Sequence, residues 1–434
     1  MIAARLAREA YLVSPEDPQI RRLYLATMLE MAVYHHGLDA PLPMGEGTLA
    51  GDAAEFGLET IDGVLRFALE GDHAAAAIGA VQILGHLGQA DAVLRQGSGQ
   101  PAPLVLATRH ADRRLRLAAA SAILRLQPDG PFPGSSFVPE ALEFFAATGG
   151  ARRALLAGPN SEATMSLAGY LVPLGYEVDH AVTGRDLILK AIGSPDYELL
   201  IVDSGLSGPT MDLVLQQLRR DGRTARLPVA ILARAGQLER ARRMARNDPL
   251  ARAFPLPHTS DAARWQIAQL LKPVQRQMVP FARRQQQAAE AVALLAELGA
   301  TSQKIYNLQR VQETMLGALY VPSLAGKAAA ILGRLGTPAS QTALVELASR
   351  RTQPIEARKA ATTAFGASTR QYGILLTTEQ IQRQYSRYNG SAEADADTQR
   401  ILGVLLDWIE APTEIVAQLQ QESAPPGKEP EPKP

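Results

Sequence analysis

The sequence predicts a multidomain chain of α and α/β parts, in which helical repeat segments flank a doubly wound domain of five β–α units. Three observations predict it. Alanine- and leucine-rich stretches with helical periodicity lie toward both ends of the chain. A six-residue motif, ILGHLG at 83–88, returns as ILGRLG at 331–336 with one difference. Between the two copies, short apolar runs alternate with amphipathic ones, as in a parallel sheet covered on both faces.

Composition removes several function classes before any element is placed. The 434 residues suffice for two or three domains of ordinary size. Lysines and arginines balance aspartates and glutamates at 44 each, so no global field draws the chain to nucleic acid or to an anionic membrane. The absence of cysteine excludes disulfides, thiolate metal sites and thiol nucleophiles. Arginines and a glutamate interrupt the apolar residues of MIAARLAREAYLV, which therefore lacks the apolar core of a signal peptide. No apolar run approaches membrane-spanning length. A soluble cytoplasmic protein is the expectation.

The N-terminal region, 1–58, predicts a helix over 17–37 with Ile20, Leu23, Leu25, Leu29 and Ala32 near one stripe, followed by a Pro- and Gly-rich loop over 41–58. The helical repeats of 59–138 contain the first ILG motif and then RRLRLAAASAIL at 113–124, with Arg116 ahead of alanines. The second copy precedes EARKAATTAF at 356–365, with Arg358 in the same place. Paired helices that cannot each bury an apolar face alone build a shared core by stacking. These stretches, about 59–126 and 320–410, resemble HEAT repeats.

Residues 127–139 are punctuated like a linker. Over 151–272, strands are predicted at 154–158, 176–182, 198–203, 228–232 and 252–256, with helices over 161–174, 184–193, 210–220, 236–246 and 259–271. The first of these helices is expected to bury Met165, Ala168, Leu171 and Leu174. Helices at 283–299 and 301–318 open a C-terminal helical region, 283–420. The proline-rich tail, 421–434, is too poor in apolar residues to fold.

Asp203 ends the apolar strand ELLIVD, and PDYELLIVDSG with VTGRDLI (182–188) resembles the receiver domain of response regulators. That resemblance implies a flavodoxin-like sheet in the order 2-1-3-4-5, with Asp203 at the phosphoacceptor position. The other members of the receiver site are missing. The acidic pair that holds Mg²⁺ should stand about 45 residues before the acceptor; Gly158 and Pro159 stand there. Ala233 replaces the hydroxyl residue after the fourth strand, Leu256 the lysine after the fifth, and Ser207 the proline beyond the acceptor. A lone carboxylate is a poor cage for Mg²⁺, which keeps its waters and needs several oxygen ligands. Two readings of Asp203 stay open: an atypical acceptor, or a turn in which its carboxylate accepts backbone N–H bonds.

Ten arginines against three acids between 219 and 252 make the stretch around the fourth helix strongly basic. Arg234, Arg240, Arg242, Arg243 and Arg246 are the candidate partner-binding residues; the alternative is a solvated arginine-rich helix. Acids outnumber bases from 376 onward, so the contact could also be intramolecular. No aromatic residues interleave with these arginines, which disfavours nucleic acid. No metal site is expected. His35 and His36 face different directions on a helix, and the remaining histidines are scattered. The polar–aromatic group of Tyr385, Tyr388 and Asn389 is assigned to packing or capping.

The expectation is a non-enzymatic signalling or scaffold protein that binds protein partners of unknown identity through its repeats and a degenerate receiver, without a cofactor. The alternatives are an atypical response regulator phosphorylated on Asp203, with Mg²⁺ as its cofactor, and a repeat-based lyase.

Overall fold

The computed structural model describes residues 2–94, 99–275, 278–301 and 305–410; the expected tail at 421–434 lies outside them. The chain divides into two compact units, Met1–Asn307 and Leu308–Pro434.

The first unit begins with helices α1 (Ile2–Val13), α2 (Pro18–His36), α3 (Leu49–Ala54), α4 (Gly57–Glu70) and α5 (Ala74–Leu87). Asp17 caps α2 by accepting the N–H groups of Gln19 and Ile20, with Pro18 at the first helical position. The buried stripe of α2 is Leu25, Ala26, Leu29 and Val33, and Leu23 turns outward. Residues two apart on a helix do not share a face, so Leu23 and Leu25 cannot both point inward. The stretch 41–58 is not wholly loop, because Thr48 caps α3 inside it.

Helix α5 packs against α2, α4 and α8 and is buried over most of its length. After α6 (Asp91–Leu94) and α7 (Pro103–Ala107), α8 (Arg113–Leu126) ends with Gln127 in the left-handed conformation. Helix α9 (Phe137–Ala146) then starts inside the presumed linker of 127–139.

The α/β part has strands β1 (Arg153–Ala157), β2 (Glu177–Ala181), β3 (Tyr197–Asp203), β4 (Val229–Ala233) and β5 (Ala251–Pro255). They form one parallel sheet in the order β2-β1-β3-β4-β5, compatible with a flavodoxin-like arrangement. The helices that follow the strands are α10 (Ser161–Leu171), α11 (Gly184–Gly193), α12 (Met211–Arg220), α13 (Leu238–Ala245) and α14 (Ser260–Leu271). Because side chains alternate along a strand, Leu200 and Val202 of β3 pack with α11, α12 and α13. Leu199 and Ile201 pack on the opposite face with Leu171 of α10 and Ile267 and Leu270 of α14. Burying a side chain of this size stabilises the fold by roughly 1.5–3 kcal/mol. Met165 is 61 % exposed. The inward stripe of α10 is Thr164, Leu167, Ala168 and Leu171, whose spacing fits one helical face better than a stripe through Met165.

Helix α15 (Phe281–Thr301) packs against α9 and α8. At the junction of helices and sheet the backbones nearly touch: a Cβ built on Gly222 would stand 2.1 Å from the carbonyl oxygen of Arg109.

The second unit opens with a 3-10 turn (Leu308–Val311) and α16 (Gln312–Ala318), so the expected helix over 301–318 is not continuous. It continues with α17 (Ala325–Leu335), α18 (Pro338–Ser349), α19 (Ile355–Tyr372), α20 (Thr378–Asn389) and α21 (Ala396–Glu410). Helix α19 packs against α17, α18 and α21.

The two motif copies are built alike. Gly88 and Gly336 end α5 and α17 in the left-handed conformation. Gly85 lies against Ala122 of α8, and Gly333 against Ala364 of α19. Arg116 and Arg358 are each 3 % exposed. The first donates from Nε to the carbonyl of His110 (3.2 Å), the second to that of Ala348 (2.9 Å), each ahead of the turn into its own helix.

Candidate functional site

Parallel doubly wound sheets place their loops and ligands at the carboxyl ends of the strands. Asp203 is there, as the last residue of β3, and is partly buried. Its Oδ1 accepts the backbone N–H of Gly205 at 2.7 Å, closing a local turn. Among the described residues, Asp203 has no ion pair. Neighbouring Ser204 pairs its hydroxyl with Gln237 Oε1 at 3.4 Å.

The positions singled out around Asp203 fall into three settings. Gly158 follows β1, and a Cβ built on it would be 3.3 Å from Asp203 Cβ and 3.2 Å from Thr164 Cγ2. The two chain positions are therefore adjacent, with no room for a larger residue at 158 unless Thr164 gives way. Pro159 is exposed, and Asn160 after it uses its side-chain oxygen to cap the N–H of Glu162. Ala233 is buried at the end of β4. Leu256 is partly buried against the apolar core, and its N–H bonds the carbonyl of Ala233 at 3.2 Å. No group of three or more His, Cys, Asp or Glu side chains among the described residues is placed to hold a metal ion.

The arginine-rich stretch separates into used and unused cations. Arg219 pairs with Asp248 at 2.9 Å and also donates to the carbonyl of Leu227. Arg223 pairs with Asp221, and Arg226 with Asp112 and Asp72. By contrast, Arg234, Arg240, Arg242, Arg243 and Arg246 are all exposed on or beside α13. Arg242 pairs with Glu239; among the described residues the other four have no ion pair. Arg243 also borders an open groove of about 850 Å³, walled by Asp212, Gln216, Asn247 and Asp248.

The opposite, amino end of the sheet holds charged groups that local periodicity does not connect. Glu198 of β3 binds Arg152 at 2.7 Å and also pairs with Arg284 of α15. Arg113, Arg114 and Arg116 from the first turn of α8 stand beside them, with Arg223 and Arg226. The signal in the sequence is RRLR directly after the capping Asp112; only Arg116 was singled out there, as a repeat arginine. The chain matches no protein-family model and no curated protein.

Proposed function

We propose that this chain is a non-enzymatic signalling or scaffold protein, with HEAT-like helices and a pseudo-receiver domain that docks protein partners. The observation that carries this reading is the setting of Asp203. Its carboxylate closes a turn with Gly205, and the adjacent chain position, where a receiver holds its metal-binding acids, is a glycine hemmed in by Thr164 and Asp203 itself. Ala233 offers no hydroxyl to a phosphoryl oxygen, and Leu256 no ammonium to its charge. The docking face is α13, where Arg234, Arg240, Arg243 and Arg246 present charge not paired within the described residues. Its partner is an acidic protein surface, attracted most at low salt.

Two measurements on the full chain test this. Beryllofluoride with Mg²⁺ leaves the NMR or fluorescence spectrum of the wild type unchanged on this reading. A saturable change that disappears in Asp203→Asn would establish an active phosphoreceiver instead. In affinity capture, Arg240→Glu/Arg243→Glu/Arg246→Glu weakens retention of partners by about threefold to a hundredfold, since exposed pairs contribute roughly 0.2–1 kcal/mol each. Equal capture by the triple variant would remove α13 as the docking face.

A further inference from the structure

At the amino end of the sheet, remote from Asp203, a cavity of about 100 Å³ lies where β3 and the loop before β4 meet α8, α9 and the start of α15. Six arginines line it: Arg113, Arg114, Arg116, Arg223, Arg226 and Arg284. Among the described residues the acids that line it are Asp112 and Glu198, and both are already shared. Asp112 caps the N–H of Arg114 at 2.9 Å and pairs with Arg226 at 2.7 Å. Glu198 is divided between Arg152 and Arg284.

Arg114 pairs with Asp39 at 3.3 Å and Arg223 with Asp221 at 2.6 Å, acids outside the lining, whereas Arg113 and Arg116 are held by neutral groups. Arg113 donates to Gln287 Oε1 (2.7 Å) and to the carbonyl of Pro195 (3.3 Å), and Arg116 to the carbonyls of His110 (3.2 Å) and Gly222 (2.6 Å). No carboxylate pairs with Arg113 or Arg116 among the described residues. Arg284 is buried, and among the described residues its Nε has no hydrogen-bond partner. Three arginines also crowd the first turn of α8, the positive end of its dipole, where cations are disfavoured and anions welcome. Burial, helped by the charges of Arg284 and Arg116, drives Arg113 down to about 9; burial drives Arg116 down to about 10. Rings of Phe144 and Phe145 under these guanidinium groups offset part of the cost. Buried cations are ordinarily paired, and here the pairing is incomplete.

We propose that the cavity is an anion site for a phosphate-type oxyanion. Guanidinium forks match tetrahedral oxyanions. The space is ample for one such ion. The site does not depend on the pseudo-receiver reading, since no residue near Asp203 takes part in it.

The test uses the full chain, titrated with inorganic phosphate against chloride at matched ionic strength. Phosphate binds saturably by calorimetry and raises Tm by about 3–5 °C near saturation. Arg113→Gln, if folded by circular dichroism, binds about tenfold or more weakly, while Arg240→Gln on the exposed α13 binds as the wild type does. If Arg113→Gln does not fold, the wild-type titration and phosphorus NMR line broadening decide alone. Competition by glycerol phosphate assigns the site to an esterified phosphate, and its failure to compete assigns it to the free ion. Equal Tm in phosphate and chloride with no saturable heat overturns the proposal. So does phosphate binding that Arg240→Gln reduces and a folded Arg113→Gln does not.

Discussion

Glu198 shows how one carboxylate can tie the amino end of a sheet to a helix distant in sequence. Burial alone would raise its pKa, but the hydrogen bond from Arg152 and the charges of Arg284 and Arg152 outweigh that and hold it below the usual carboxylate value. A carboxyl group whose pKa is lower folded than unfolded contributes stability that is complete above its unfolded value near 4.5 and is lost as pH falls through the folded value. Glu198→Gln is therefore expected to cost about 2–3 kcal/mol at neutral pH, less than a fully buried pair because Arg152 is partly exposed, and much less at pH values below the folded pKa. Urea unfolding of both proteins at neutral and strongly acid pH measures this; an equal loss in both would mean that the charge is not what Glu198 contributes. At this scale the sequence was only partly legible. Asp203 could be placed because it ends an apolar strand. The charge of the 219–252 stretch could be summed but not apportioned: Arg226 is paired by Asp112, more than a hundred residues earlier and outside any local window.

Among the elements, the repeated ILG motif has a steric content that its letters do not state. A Cβ on Gly333 would lie 2.7 Å from the carbonyl oxygen of Ala364, so α17 and α19 would have to move apart. A Cβ on Gly85 would meet the Ala122 side chain at 3.0 Å, a contact that yields more easily. Alanine is intrinsically the better helix former by about 1 kcal/mol, yet overpacking of this kind costs about 1–3 kcal/mol. Gly333→Ala is thus expected to destabilise the chain and to do so more than Gly85→Ala, as read from chemical unfolding midpoints; a stabilised Gly333→Ala would contradict the close approach. Strands and long helices were legible because their apolar periods are strong, and all five strands fall within two residues of their expected limits. Helices α3 and α9 were not, since they are short and begin inside Pro- and Gly-rich stretches, where composition masks a cap such as Thr48. The outward turn of Met165 was missed for a different reason: a stripe shifted by one residue looks almost as periodic as the true one.

For the whole molecule, the first unit is larger than the α/β domain it contains. The amino edge of the sheet is held by groups from outside 151–272, including the pair from Arg284 to Glu198 and the bonds from Arg116 to Gly222 and Arg226 to Asp112. A fragment of residues 1–307 is expected to fold with a single cooperative transition, and a fragment of 151–272 to melt at a lower temperature, because it exposes that edge and leaves Glu198 without Arg284. Calorimetry of both fragments tests this, and equal melting temperatures would mean that the edge contacts add no stability. Such contacts are illegible in a sequence because periodicity reports which face of an element is apolar, not which distant element will cover it. The bridges also have a mechanical consequence. Contacts from α8 and α15 reach the amino end of the sheet, with the Gly222 and Arg109 backbones pressed together beside them, so a tug on either helix would load β3 directly.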